Sequence, residues 1–328
     1  MPAYRAAHLL PQVLAPLVEM QRKGEILEIL VVDDQSPDDT AETARGLSAR
    51  VLVTPKNGGP GAARNLAAEH ASGDVLWFVD SDVIAKPGNA ARIRDAFASP
   101  DVGAVFGSYD DAPASKYWFS QYKNLLHHFH HQKGNRDAVT FWAGCGAVRK
   151  DVFLEVGGFD IETYKVPSIE DIELGYRISG AGHRIVLDPA LQCKHLKHWT
   201  IRNALETDIF KRALPWARLM ISREGVTNDL NASTAERLRA VLALVFVLSV
   251  LALPLFPAVW PVTLAATLLV FGSNFALFRL FLTKGGPAMA VASMLYHQVY
   301  YIYSATVFVW CLFEFHVLGR NDKLAVSA

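Results

Sequence analysis

The sequence predicts an α/β fold of the doubly wound kind followed by a helical transmembrane region, and three observations predict it. The run Val75 to Val79 is apolar without alternation and stops on two carboxylates, Asp80 and Asp82, as a strand covered on both faces does at its carboxyl end. A second run, Ile26 to Val32, is broken only by Glu28 and also ends on acid, Asp33 and Asp34. The tracts Ala240 to Phe278 and Gly285 to Phe313 contain no charged residue, enough for two membrane crossings and then one at about 20 apolar residues each.

Length and composition bound the rest. A chain of 328 residues accommodates two units, and a formal net charge of +0 argues against nucleic acid as a partner. Cys145, Cys193 and Cys311 are odd in number and widely spaced, which suits a reducing compartment and gives neither a disulfide framework nor zinc-ligand spacing. Met1 to Val18 is no secretory leader, because Pro11 and Pro16 interrupt its apolar run.

In chain order, Pro2, Ala3 and Tyr4 precede a helical pattern of Leu10, Val13, Leu14, Leu17 and Val18. They read as the loop after a strand, with the first strand itself truncated. After Asp34 the turn-rich Gln35 to Asp39 leads to a helix over about Thr40 to Leu47 and a short strand at Val51 to Val53. Asn57 to Gly61 then opens a helix from Ala62 to His70, a glycine-rich entry that lets backbone approach an anion, though glycine and proline there also serve a plain turn. Arg64, one turn in, either points at the same crevice or is a solvated surface arginine. Asp80 and Asp82 offer hard oxygen ligands to Mg²⁺ or Mn²⁺ shared with phosphate, or else cap the following turn.

Further on, Gly144-Cys145-Gly146 reads as a small-residue turn after an apolar strand, and Asp151 to Val156 as a helix closed by Gly157 and Gly158. Ser168 and Asp171 stand at capping-box spacing, so Asp171 has a structural reading in which it bonds the Ser168 backbone.

The order Pro-Ala-Tyr, Val-Val-Asp-Asp-x-Ser-x-Asp-x-Thr, Asn-x-Gly-x-x-x-Ala-Arg-Asn and Phe-Val-Asp-Ser-Asp resembles the family 2 glycosyltransferases. The likeness extends through Gly144, Gly157-Gly158-Phe159-Asp160, Glu170-Asp171 and His195, roughly residues 2 to 200. It implies the GT-A nucleotide-sugar-binding fold, a Rossmann-like mixed sheet. It also implies that Pro2, Ala3, Tyr4 and Asp34 (or Asp33) contact the base of a nucleotide-diphosphate sugar, with Arg64 close by. Asp80 and Ser81 lie by the ribose. Asp82 and His195 bind the divalent cation that neutralises charge on the departing diphosphate. Asp171 aligns with the general base that takes the acceptor's proton, Glu170 being its partner. One base opposite the leaving group implies inversion. The implied activity is a metal-dependent transferase of hexosyl type.

His127, His128, His130 and His131 sit among Tyr117, Trp118, Phe119, Tyr122 and Phe129, a stretch that suits an amphipathic helix better than a metal site. From Lys194 to Arg223 seven Lys and Arg interleave with aromatic and aliphatic residues, as on an interfacial helix at an anionic membrane. Arg237 and Arg239 before the first apolar tract, and Arg279 and Lys284 after it, give a hairpin with the catalytic part in the cytoplasm of a bacterial inner membrane. His297 and Gln298 dilute the third segment. The expected organisation is a catalytic domain over 1–199, basic interfacial helices over 200–235, two to three spans over 236–317 and a tail over 318–328. The acceptor expected at that surface is a lipid or lipid-linked. A processive polysaccharide synthase is the alternative enzyme, although Arg212 to Trp216 is the only trace of the Gln-x-x-Arg-Trp motif such enzymes carry. A nucleotidyltransferase and a non-catalytic membrane protein keeping the fold are the alternatives outside the class.

Overall fold

The computed structural model describes residues 1–222 and 233–320; Arg223, from the basic stretch, lies outside them. The chain divides into two compact units. One comprises Met1–Ala114 and His131–Lys197, and the other Ser115–His130 and the residues from His198 onward.

The first unit is a mixed α/β structure. A parallel three-stranded sheet joins β1 (Pro2–Ala3), β2 (Leu30–Asp33) and β3 (Arg50–Val53), with Pro2 opposite Val32 and Ala3 opposite Asp33. Pro2 and Ala3 are therefore strand residues, not the loop the sequence suggested. β2 starts at Leu30, four residues later than its apolar run implied, and Leu27 in the skipped stretch is exposed. α1 (Leu10–Arg22) buries Leu10, Val13, Leu14, Leu17 and Met20 at helical spacing against Val31, Val79 and Val83.

The second sheet runs β4 (Val75–Val79), β8 (Cys145–Arg149), β6 (Val102–Tyr109), β9 (Arg184–His195) and β5 (Val83–Ala85), with β7 (Asp137–Ala138) paired to β9. Within this sheet only β6 and β9 are parallel and β4 lies antiparallel to β8, so the sheet is mixed, as the family resemblance implied. Leu76, Phe78 and Val79 are buried while Val75 and Trp77 are half-buried, so β4 is covered more on one face than the other. Cys145 and Gly146 lie in β8, not in a turn; the turn is at Ala143 and Gly144. The β6–β9 register shifts beside Gly107, where any Cβ would stand 1.7 Å from the Leu191 carbonyl oxygen. Helices α2 (Thr40–Gly46), α3 (Gly59–His70), α4 (Asn89–Ala96), α6 (Lys150–Glu155) and α7 (Glu170–Gly180) complete this unit.

The second unit is helical. It takes most of α5 (Trp118–Lys133), then α8 (Ile201–Glu206), a π-helical segment Thr207–Ala213, α9 (Leu214–Ser222), α10 (Thr234–Ala252), α11 (Trp260–Ser273) and α12 (Phe275–His316). Its core gathers Phe119, Tyr122, Leu125, Phe281, Met289 and Met294. Among the described residues α12 alone is long and apolar enough to cross a membrane; Pro257–Ser273 is a shorter apolar helix. The expected second span thus divides at Asn274, with Phe275 to Phe278 belonging to α12. α12 is itself broken at Gly286, whose φ of 80° and ψ of 176° are non-helical. His297 does not dilute an apolar surface: it is fully buried, with Nδ1 3.0 Å from the Tyr122 hydroxyl.

Candidate active site

The site residues come from strand ends and helix starts of the first unit. Asp34 follows β2 and is buried at 3% exposure. Its Oδ1 accepts from the Thr54 hydroxyl at 2.7 Å and the Gly58 N–H at 3.0 Å, and its Oδ2 from the Gly59 N–H at 2.7 Å. Gly59 has φ of 79°, a conformation that favours glycine, and α3 begins there, earlier than Ala62. The carboxylate thereby fixes the glycine-rich entry of α3 through charge-assisted bonds. Tyr4 is exposed, with the Arg5 guanidinium 5.3 Å from its ring centroid.

Arg64, one turn into α3, is buried at 5% exposure, not solvated. Its Nη2 donates to Asp80 Oδ1 at 2.6 Å, its Nη1 lies 3.6 Å from Glu170 Oε1, and its guanidinium covers the Phe159 ring at 5.2 Å. Burial disfavours its charge, but Asp80 and Glu170 more than offset this and raise its pKa above the ordinary value. Asp80 also donates its backbone N–H to the Gly144 carbonyl at 3.3 Å. Ser81 is half-buried between the two acids.

Asp171 opens α7, but not as the cap of Ser168. Glu170 takes that part, its Oε2 accepting from the Ser168 N–H at 2.8 Å. Asp171 Oδ2 instead accepts from the Ala143 N–H at 3.1 Å, and Oδ1 from its neighbour Ile172 at 2.9 Å. The close approach that permits this comes from Gly175, one turn on, where a Cβ would stand 2.3 Å from the Phe141 nitrogen. Burial first, and the charge of Glu170 second, raise the Asp171 carboxyl from 3.8 to about 6. A carboxylate poised near neutrality is what a general base requires.

Asp82 and His195 meet because β5 and β9 are antiparallel, with Val83 opposite His195 and the Leu196 N–H donating to the Asp82 carbonyl. Asp82 Oδ2 lies 3.4 Å from His195 Nε2. Burial pushes the Asp82 carboxyl up, and His195 together with Lys197 pulls it below its ordinary value. Two donors each about 2.1 Å from an octahedral cation stand about 3 Å apart, so a carboxylate and an imidazole at this separation fit one Mg²⁺ or Mn²⁺. Among the described residues no group of three His, Cys, Asp or Glu gathers to hold a metal unaided. Such cations take their remaining ligands from substrate phosphate and water.

The structure thus brings Asp80, Arg64, Glu170 and Asp171 into one contact network and Asp82 with His195 into another. Sequence reasoning missed the side chains between them. The His195 ring stacks on Tyr109, centroids 4.2 Å apart and 8° between planes, and Tyr109 meets the Trp142 edge at 4.9 Å. A signal existed: the apolar run Val102 to Tyr109 also ends on acids, Asp110 and Asp111.

This arrangement on a mixed sheet has the GT-A fold of the glycosyltransferases. A mannosyltransferase from Pyrobaculum calidifontis, solved with GDP-Man and Mn²⁺, superposes with a TM-score of 0.57 at 19% identity over 94% of this chain and 85% of its own. S. aureus TarS 1–349, solved with UDP-GlcNAc, does so with a TM-score of 0.50 at 18% identity over 94% and 89%. Residues 1–157, just under half of the chain, match glycosyl transferase family 2. The pre-mycofactocin glycosyltransferase of Mycobacterium tuberculosis is 29% identical over 194 residues, which is 54% of this chain and 40% of that protein. The validoxylamine A glucosyltransferase of Streptomyces hygroscopicus subsp. jinggangensis is 28% identical over 55% of this chain and 50% of its own length. The chain therefore spans about half the length, or less, of these curated relatives.

Proposed function

We propose that the chain is an inverting, metal-dependent glycosyltransferase of hexosyl type, moving a sugar from a nucleotide-diphosphate sugar to a lipid or lipid-linked acceptor at a membrane. The observation that carries this is the Asp82–His195 pair, an oxygen and a nitrogen donor 3.4 Å apart in a family 2 chain. Its support from neighbours is the Mn²⁺ in the solved mannosyltransferase complex.

In this reading Pro2, Ala3, Tyr4 and Asp34 form the base-side wall, with Asp34 holding the α3 entry open to the nucleotide. Arg64 fixes Asp80, which with Ser81 faces the ribose. Asp82 and His195 hold Mg²⁺ or Mn²⁺, which when bound supplies Lewis-acid neutralisation of the leaving diphosphate. Asp171, oriented by the Ala143 N–H, takes the proton of the attacking hydroxyl while Glu170 keeps its charge and position. A single base acting on the face opposite the leaving group inverts the anomeric carbon.

Membrane placement is supported by α12 and by large apolar side chains exposed on it and on α10 and α11, Leu238, Leu251, Leu268 and Val309 among them. Basic Lys211 and Arg212 beside exposed Phe210 suit an interface with anionic lipid headgroups. We place the catalytic unit on the cytoplasmic side of a bacterial inner membrane.

The test is donor hydrolysis and transfer to a membrane lipid extract, with sugar nucleotides screened in Mn²⁺. Asp82→Asn is expected to lose about 10²-fold or more of Mn²⁺-dependent turnover. Undiminished turnover in that variant would sink the assignment.

A further inference from the structure

His195 is anchored twice. Its backbone is set by the pairing of β9 with β5, but the direction of its ring is set by what the ring packs on. That support is Tyr109, the last residue of β6, which lies opposite Cys193 and therefore on the same face as His195 two residues later. The two rings are nearly coplanar in stack, 4.2 Å apart and 8° from parallel. Tyr109 in turn abuts Trp142 edge-on at 88°.

Trp142 has little freedom of its own. A Cβ on Gly144 would stand 2.5 Å from its ring, and it packs edge-on against His131 at 5.4 Å, whose Nδ1 lies 2.7 Å from the Gly107 carbonyl oxygen. The residue after it, Ala143, donates to Asp171, and Gly144 accepts from Asp80. An unbroken series of contacts therefore runs from His195 through Tyr109 and Trp142 to the turn that holds both Asp80 and Asp171.

We propose that Tyr109 and Trp142 are positioning residues that key the His195 imidazole to the Ala143–Gly144 turn, so that the cation end and the base end of the site keep one fixed spacing. The inference rests on the glycosyltransferase reading of Asp82, His195 and Asp171. A group that orients a metal-binding histidine typically changes metal affinity 10–100-fold when removed. Here that group is an aromatic face, so the ring is the part that orients the imidazole.

The experiment titrates Mn²⁺ into the full chain with GDP or UDP present, following free Mn²⁺ by electron paramagnetic resonance, with circular dichroism as the check on folding. Tyr109→Phe is expected to bind within about twofold of the parent, and Tyr109→Leu about tenfold more weakly. At saturating Mn²⁺ Tyr109→Leu recovers its kcat, whereas Trp142→Leu weakens Mn²⁺ and also keeps a lowered kcat, because the Asp171 turn has moved. Parent-like Mn²⁺ binding by folded Tyr109→Leu, or an equal loss in Tyr109→Phe, overturns the proposal. Should Tyr109→Leu not fold, parent-like Mn²⁺ affinity in Trp142→Leu overturns it instead. Asp82→Asn separates the two levels: if it binds Mn²⁺ like the parent, the metal reading itself fails, and with it the inference.

Discussion

Two of the acids in the helical unit and two in the α/β unit are held in different ways. In the helical unit Asp208 accepts from Lys123 Nζ at 2.7 and 2.6 Å and from the Tyr303 hydroxyl at 2.8 Å, and Glu314 takes three bonds from Arg218. Each acid there is matched by a cation from another helix, and the pairs hold helices together. In the α/β unit Asp82 has the His195 imidazole 3.4 Å away, and Asp171 accepts from the backbone N–H groups of Ala143 and Ile172. A carboxylate held by an imidazole or by backbone N–H groups is one that a ligand or a proton can engage. The contrast teaches that buried acid alone does not mark a site; what it is left to bind does.

The sharpest way to break this comparison is to remove the base. Asp171→Asn is expected to lower turnover about 10²–10⁴-fold while donor binding holds, and the parent's rate should rise with pH through about 6 as the Asp171 carboxyl deprotonates. A single-turnover pH series measures both. A parent profile flat from pH 5 to 7, or an Asn variant of near-parent rate, assigns the proton transfer to another group.

On the helical side the same deletion should act on stability. Lys123→Ala leaves Asp208 with Tyr303 at 2.8 Å and Arg212 at 3.8 Å, and should cost about 3 kcal/mol, the low end for a broken buried pair. Adding Asp208→Leu should restore much of it, because no buried charge then lacks a partner. Thermal unfolding in detergent reads this, and an unchanged midpoint in Lys123→Ala would show that the pair carries no stability.

Packing at the base sharpens the comparison further. Gly175→Ala places a methyl 2.3 Å from the Phe141 nitrogen, an overpacking expected to cost about 1–3 kcal/mol and to pull Asp171 from the Ala143 N–H. Activity should fall more steeply than the melting temperature. Equal and small losses in both would mean that α7 shifts without carrying Asp171 along.

Much of the α/β unit was legible beforehand, because strand ends and helix starts leave local marks. Val75 to Val79 ending on Asp80 and Asp82 reported its own place, as did the glycine entry before Arg64. What stayed hidden depends on register. Nothing near Asp171 says that it will reach residue 143 and not its own cap, since the contact is made by α7 lying on the 140–143 segment across Gly175. Whether Arg64 faces the crevice or solvent could not be read locally, because its partners, Asp80 and Glu170, are 16 and 106 positions away. The Lys123–Asp208 pair was equally invisible, each residue looking like one more charge on an amphipathic face.

The smallest expected effect runs against intuition and tests the same idea. The Asp171 carboxyl rises from 3.8 to about 6 on folding, so its contribution to stability is fully present below pH 3.8 and is lost as pH rises through about 6. At pH 7.5 the ionised, half-buried carboxylate therefore destabilises the fold by roughly 1–3 kcal/mol, allowing for partial solvent screening. Asp171→Asn should melt a few degrees higher than the parent at pH 7.5, and the advantage should vanish below pH 4. The proposed base is kept at a cost to stability, whereas Asp208 in the helical unit, with its cation beside it, should show the reverse: Asp208→Asn should melt lower at pH 7.5. If both variants shift in the same direction, the distinction drawn between the two kinds of buried acid does not hold.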